Sequence, residues 1–110
     1  MFAVLGLVIG ALIALLLQPT VPAELTRYVA MGVLAAIDAS VGGVRSYLDR
    51  TFNDRVFVLA FVTNAAVAAG LVWLGDQLAV DLTTAVAVVF GIRIFQNLAA
   101  VRRRMFGGGQ

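Results

Sequence analysis

Four apolar runs, at about residues 2–17, 23–44, 55–74 and 80–101, take up most of the 110 residues of this chain. Hydrophobic residues make up 62% of it and charged residues 13%, with a mean hydropathy of +1.00. A soluble domain of this size has too much surface for its volume to hide that much apolar material. Helices in lipid can carry it, because lipid solvates their outer faces while the backbone hydrogen-bonds internally. The expected fold is therefore an all-α integral membrane protein. It would be one domain of four short transmembrane helices packed through small-residue faces, with a flexible tail at residues 105–110.

The connectors set the expected orientation. Arg45, Arg50 and Arg55 lie between the second and third runs, and Arg102, Arg103 and Arg104 follow the fourth. The other two connectors hold Arg27 beside Glu24, and Asp76 with Asp81. Arginine gathers on the cytoplasmic side of membrane proteins. Four spans then place both termini in the cytoplasm, with Trp73 and Tyr28 at the outer interface and Tyr47 at the inner one. The first run is short for a span, and Pro19 and Pro22 make residues 18–22 an extended connector. It has no basic segment ahead of it and no small-residue cleavage site before Pro19, so a retained helix is expected rather than a signal peptide. The segment RSYLDRTFNDR (45–55) reads equally as a short amphipathic helix on the headgroups or as a solvated turn.

A net charge of +2 and a pI near 9.9 raise the question of nucleic acid. All the basic residues are arginines flanking apolar runs, apart from Arg93, so they read as topology signals and nucleic acid is not an expected partner. The chain has no cysteine, histidine or lysine. That removes thiol chemistry, Cys or His metal ligation and Schiff-base lysines. Asp49 and Asp54 flank arginine in a connector and read as a solvated face. No catalytic residue, cofactor or metal site is expected.

Asp38 and Arg93 are the exceptions to the charge pattern, each inside an apolar run, where an ionisable group costs several kcal/mol unless paired or wet. Helix rise puts Asp38 roughly 10 Å from the arginine-rich end of its run, with Asn64 and Arg93 each about 13 Å from the same end. Three helices thus bring polar groups to one layer. Gln96 and Asn97 follow Arg93 at i+3 and i+4. The layer is expected to be an ion pair that locks helix register; the alternative is a path for an ion or proton, or a headgroup site.

Small residues form a second pattern. Gly6, Gly10 and Ala14 recur every fourth residue, as do Ala35 with Ala39, and Ala66 with Gly70, while Gly42 and Gly43 adjoin Asp38's layer. Such faces let helices approach closely. Since four short helices enclose little interior, a homo-oligomer is expected.

The strings VLGLVIG (4–10), AAIDASVGGVRSYL (35–48), FNDRVFVLAFVTN (52–64), LGDQLAVDL (74–82) and FGIRIFQNLAAVRRR (90–104) resemble the bacterial small basic protein family over nearly the whole chain. Residues 39–41, Ala-Ser-Val, are smaller than the bulky pattern of that family. The resemblance implies a multi-pass protein of the bacterial cytoplasmic membrane, without an established biochemical role. In some genomes the family is encoded near cell-division genes or beside single-pass membrane proteins. The function expected is a non-enzymatic scaffold or partner subunit in the cell envelope, in contact with membrane lipids and single-pass anchors. The alternatives are a small ion or proton channel or transporter using Asp38, Asn64 and Arg93, and a subunit binding anionic lipid or a lipid precursor through Arg102, Arg103 and Arg104.

Overall fold

A computed structural model describes residues 2–17, 20 and 22–106. These residues form α1 (Phe2–Leu17), a 3₁₀ turn (Ala23–Leu25), α2 (Thr26–Leu48), α3 (Asp54–Leu78) and α4 (Leu82–Phe106), with no strand among them. The last three are long and apolar enough to cross a membrane, and α1 is a shorter apolar helix of 16 residues. At ~1.5 Å per residue, α1 is about 24 Å long, against ~30 Å for a hydrocarbon core.

α2 is the central rod, and each of the other helices packs on it. Its sequence explains why. Small residues occur all round its circumference, so neighbours approach from several sides, and Met31, Val33, Ala35, Ala36, Asp38, Ser40 and Gly43 are all buried. A helix without one polar face is what a bundle centre requires. α3 and α4, by contrast, bury a few side chains each and leave most of their apolar surface uncovered.

The long helices stop and start through local hydrogen bonding. α2 and α3 both end in a Schellman arrangement, closed by bonds from the Thr51 amide to the Ser46 carbonyl and from the Val80 amide to the Gly75 carbonyl, each 2.9 Å. The left-handed residues are Arg50 and Ala79, at φ 62° and 55°. Neither is glycine, so each turn is held against a steric cost of about 1–2 kcal/mol. Asn53 caps α3 by accepting from the amides of Arg55 and Val56 at 2.9 and 3.2 Å. Asp81 does the same for α4, accepting from the Thr84 amide at 3.1 Å and its hydroxyl at 2.6 Å.

Several expected boundaries move. Helix α2 runs on through Leu48, so residues 45–48 are its last turn, and the amphipathic helix considered for residues 45–55 is not present. α3 and α4 also outrun their apolar runs, because intrahelical hydrogen bonding does not need an apolar environment. Met105 and Phe106, assigned to the flexible tail, complete α4. Residues 107–110 of that tail, and Gln18, Pro19 and Val21 of the first connector, lie outside the described residues. Pro22 is extended, at φ −54° and ψ 142°. Tyr28 turns inward against the core, while Trp73 and Tyr47 are exposed.

The small-residue faces are used selectively. α1 lies on α2 through a stripe in which Val4 is buried and Leu7, Ala11 and Ala14 are half-buried. Gly6 and Gly10 sit beside that stripe, with nothing within 4 Å of a Cβ placed there, so they make no close approach inside the chain. Gly43 does: an added Cβ would lie 3.0 Å from both Phe57 and Val4. The tightest glycine is Gly75, where a Cβ would lie 2.7 Å from the Val80 carbonyl oxygen. The turn between α3 and α4 needs it.

Candidate functional site: a polar cavity between three helices

Asp38 sits midway along α2, with its side chain 2% exposed. A buried carboxylate needs a counter-charge, and α4 supplies one: Arg93 Nη2 lies 3.0 Å from Asp38 Oδ2. The pair is asymmetric, since the Arg93 side chain remains 44% exposed. Asp38 Oδ1 has no hydrogen-bond partner among the described residues, nor has the buried hydroxyl of Ser40.

The ion pair lines a half-open cavity of about 370 Å³ between α2, α3, α4 and the connector that joins α2 to α3. Asn64 lines it from α3 and Asn97 from α4. Arg45, in the last turn of α2, reaches across and donates from Nη1 to Asn97 Oδ1 at 3.0 Å. Phe52, Phe57 and Phe61 form an aromatic wall, and Thr51 and Asn53 line the connector end.

Of the residues assigned to the polar layer, Asp38, Asn64, Arg93 and Asn97 share this cavity. Gln96 is exposed and does not line it. The helical turn explains the split: at ~100° per residue, position 97 returns to within about 40° of Arg93, whereas 96 falls about 60° to the other side. Gly42 also lines the cavity, where a Cβ would lie 3.5 Å from Asn97 Nδ2.

Two interactions of the arginine clusters are less evident in the sequence. Arg45 belongs to the cavity as well as to the basic end, because its side chain is long enough to reach Asn97. Arg104 pairs with Asp49 at 2.5 Å, joining the ends of α2 and α4. Arg50, Arg55, Arg102 and Arg103 are exposed near the same end. At the opposite end Arg27 grips Asp76 through both guanidinium nitrogens, at 2.5 and 2.6 Å. Opposite charges at matching depths were the available signal for this pair.

What the cavity offers chemically is recognition: two guanidiniums, one carboxylate already committed to one of them, and several amides and hydroxyls. Beyond Asp38 and Arg93 the interior becomes apolar, with Met31, Ala35, Ala68, Val72, Val86 and Phe90 in one buried cluster.

Comparison with known proteins accords with the sequence strings quoted above. Residues 21–106 match a family described as a protein of unknown function, DUF1290. An uncharacterized protein of Mycobacterium tuberculosis is 49% identical over 109 residues, covering 97% of this chain and 90% of its own length. A protein of Bacillus subtilis named "Small basic protein" is 44% identical over 102 residues, covering 93% and 84%. No solved structure matches the chain. With a family match over most of its length and relatives this similar, the chain belongs to the DUF1290 family and is a homologue of the Bacillus small basic protein.

Proposed function

We propose that this chain is a non-enzymatic subunit of the bacterial cytoplasmic membrane that works as an oligomeric scaffold or as a partner for other membrane helices in the cell envelope. In this reading all four helices span, and both termini face the cytoplasm. The common end of Arg45, Arg50, Arg55 and Arg102 to Arg104 supports that orientation under the positive-inside rule, and the occurrence of its relatives in bacteria supports the bacterial setting.

The observation that carries the proposal is a set of helical glycines with no packing role inside the chain. Gly6, Gly10, Gly32 and Gly70 have nothing within 4 Å of an added Cβ. Glycine in a helix interior costs about 1 kcal/mol relative to alanine, and here no intrachain contact offsets it. A second helix seated on these positions would, since close backbone approach is how helices associate in lipid. Gly10 and Gly32 line one apolar groove between α1 and α2.

Purification in mild detergent with cross-linking tests this. A defined oligomer, or a retained single-pass partner, is expected. Gly10→Leu combined with Gly32→Leu should abolish it while leaving the helical content of the monomer intact. A wild-type chain that stays a lone monomer, with no associates, would overturn the reading.

A further inference from the structure

The cavity between α2, α3 and α4 holds an unbalanced charge. Arg45, Arg93 and Asp38 all line it, and they sum to one positive charge. Asp38 is committed to Arg93. Arg45, with five donors on its guanidinium, has the neutral Asn97 as its hydrogen-bonded partner and no carboxylate partner among the described residues. The first turn of α3 adds no free positive end, since Asn53 already accepts from the Arg55 and Val56 amides and Asp54 sits in that turn, so the positive charge of the cavity comes from its arginines. Asn64 and Thr51 add neutral hydrogen-bonding groups on two further sides.

An uncompensated guanidinium within a helical bundle selects for an anion, and the planar fork of arginine matches the oxygens of a phosphate. The volume of about 370 Å³ exceeds the ~30 Å³ share of one water roughly tenfold, so the space takes a phosphate together with the group it esterifies. Phe52, Phe57 and Phe61 give that group an apolar wall. The exposed Arg102 and Arg103 at the same end of the bundle would raise the local concentration of anions without forming part of the site. Basic pockets between membrane helices on the arginine-rich side are a recurrent way of holding anionic headgroups.

We propose that this cavity binds a phosphate ester, the phosphate held between Arg45 and the exposed side of Arg93 and the esterified group lying along Phe57 and Phe61. Asp38 neutralises Arg93 from behind, which leaves Arg45 as the guanidinium without a carboxylate partner in the site. The inference goes beyond the scaffold reading and stands whether or not the chain assembles.

The test uses the purified full chain, delipidated in a neutral detergent and titrated separately with phosphatidylglycerol, glycerol phosphate, inorganic phosphate and phosphatidylcholine. Native mass spectrometry and thermal unfolding provide the readouts. Saturable binding of one phosphatidylglycerol per chain is expected, weakened at least tenfold by Arg45→Gln and changed less than twofold by the double change Arg102→Gln and Arg103→Gln. Competition by glycerol phosphate would make the ligand a soluble ester as well as a lipid; its failure to compete would make the membrane the source. Because the chain has no cysteine, a nitroxide can be placed at Thr51→Cys or Leu78→Cys without other changes. The bound ³¹P signal should broaden with the label at 51 and not with the label at 78, which locates the site even if Arg45→Gln does not fold. No saturable binding of any phosphate probe, equal loss in the Arg45 and the Arg102/Arg103 variants, or equal broadening from both labels would overturn the proposal.

Discussion

The half of the bundle around Met31, Val72 and Phe90 and the half around Asp38 and Arg93 are built from the same three helices, yet they close in different ways. In the first, α2, α3 and α4 interlock through apolar side chains, and a tight turn at Gly75–Leu82 holds α3 against α4. The Arg27–Asp76 pair spans its rim. In the second, α3 has no buried residue before Ala68, and the space between the helices is a cavity lined by polar side chains together with Phe52, Phe57 and Phe61. Each half supports the other. The packed half fixes the relative positions of the helices, so that an ion pair in the open half can form without much further loss of chain entropy. The open half keeps polar groups accessible that close packing would have excluded.

The sharpest way to break this comparison is through the ion pair, because its members differ in burial. Arg93→Gln leaves the buried Asp38 carboxylate uncompensated and is expected to destabilise the chain by about 3–5 kcal/mol, as loss of one partner of a buried pair does. Asp38→Asn leaves an arginine that still reaches water, so its cost should be about 1–2 kcal/mol, nearer that of an exposed pair. The double change should recover most of the loss. Thermal and denaturant unfolding in detergent measures all three, and equal effects of the two single changes would show that the asymmetry has no energetic weight.

Gly75→Ala probes the packed half. The new methyl would meet the Val80 carbonyl oxygen at 2.7 Å, and backbone cannot yield as a side-chain tip can. A loss of about 1–3 kcal/mol is expected from overpacking. Gly70→Ala, at an open position five residues earlier on α3, should leave monomer stability unchanged or raise it. The same unfolding measurements compare the two, and similar losses at both positions would remove the claim that the turn is what needs glycine.

Asp76→Asn should have a smaller effect. The Arg27–Asp76 pair is bidentate, but its side chains are 48% and 35% exposed, so water competes for both partners and little stability is lost with it. Its contribution should fade as salt is raised. A loss as large as that of Gly75→Ala, unchanged by salt, would mean that the rim is less wet than its exposure implies.

The smallest expected effect is a pH dependence at Asp81. Its carboxyl is held below the ordinary value of 3.8, first by the hydrogen bond from the Thr84 hydroxyl and then by the Thr84 amide. A carboxylate depressed in the folded state adds stability that is present above its unfolded value and lost as pH falls through the folded one. Thr84→Ala should shrink this acid-side loss by lowering stability at neutral pH while leaving it nearly unchanged below the carboxylate range, because the lost hydroxyl bond favours the ionised form. Unfolding scanned down from about pH 6 through the carboxylate range reads it.

Much of the site was legible because helix rise turns sequence position into depth. Counting from the arginine-rich ends places Asp38, Asn64 and Arg93 in one layer, and these three line one cavity. Depth alone could not say which way each side chain turns. Gln96 and Asn97 are adjacent in sequence, but only Asn97 faces inward, and that depends on the rotation of α4 against α2. Nor could depth show that Arg45 would reach back into the cavity. Helix ends were read from where apolar runs stop, whereas hydrogen bonding carried α2 to Leu48 and α4 to Phe106. The chain reversals at Arg50 and Ala79 carry no glycine to announce a left-handed residue.

The sequence by itself determined that the chain is helical and that its long helices are apolar enough to cross a membrane, since its apolar runs are of helical span length and hold few charges. It also determined that the two charges inside apolar runs would need an answer. The tertiary structure decided which glycines are packed and which stand open, because that depends on the faces α1, α3 and α4 turn towards α2. It decided as well that Asp38 is sealed while Arg93 stays half exposed. Periodicity specifies the stripes on each helix, but only the packing of one helix on another selects which stripe is covered.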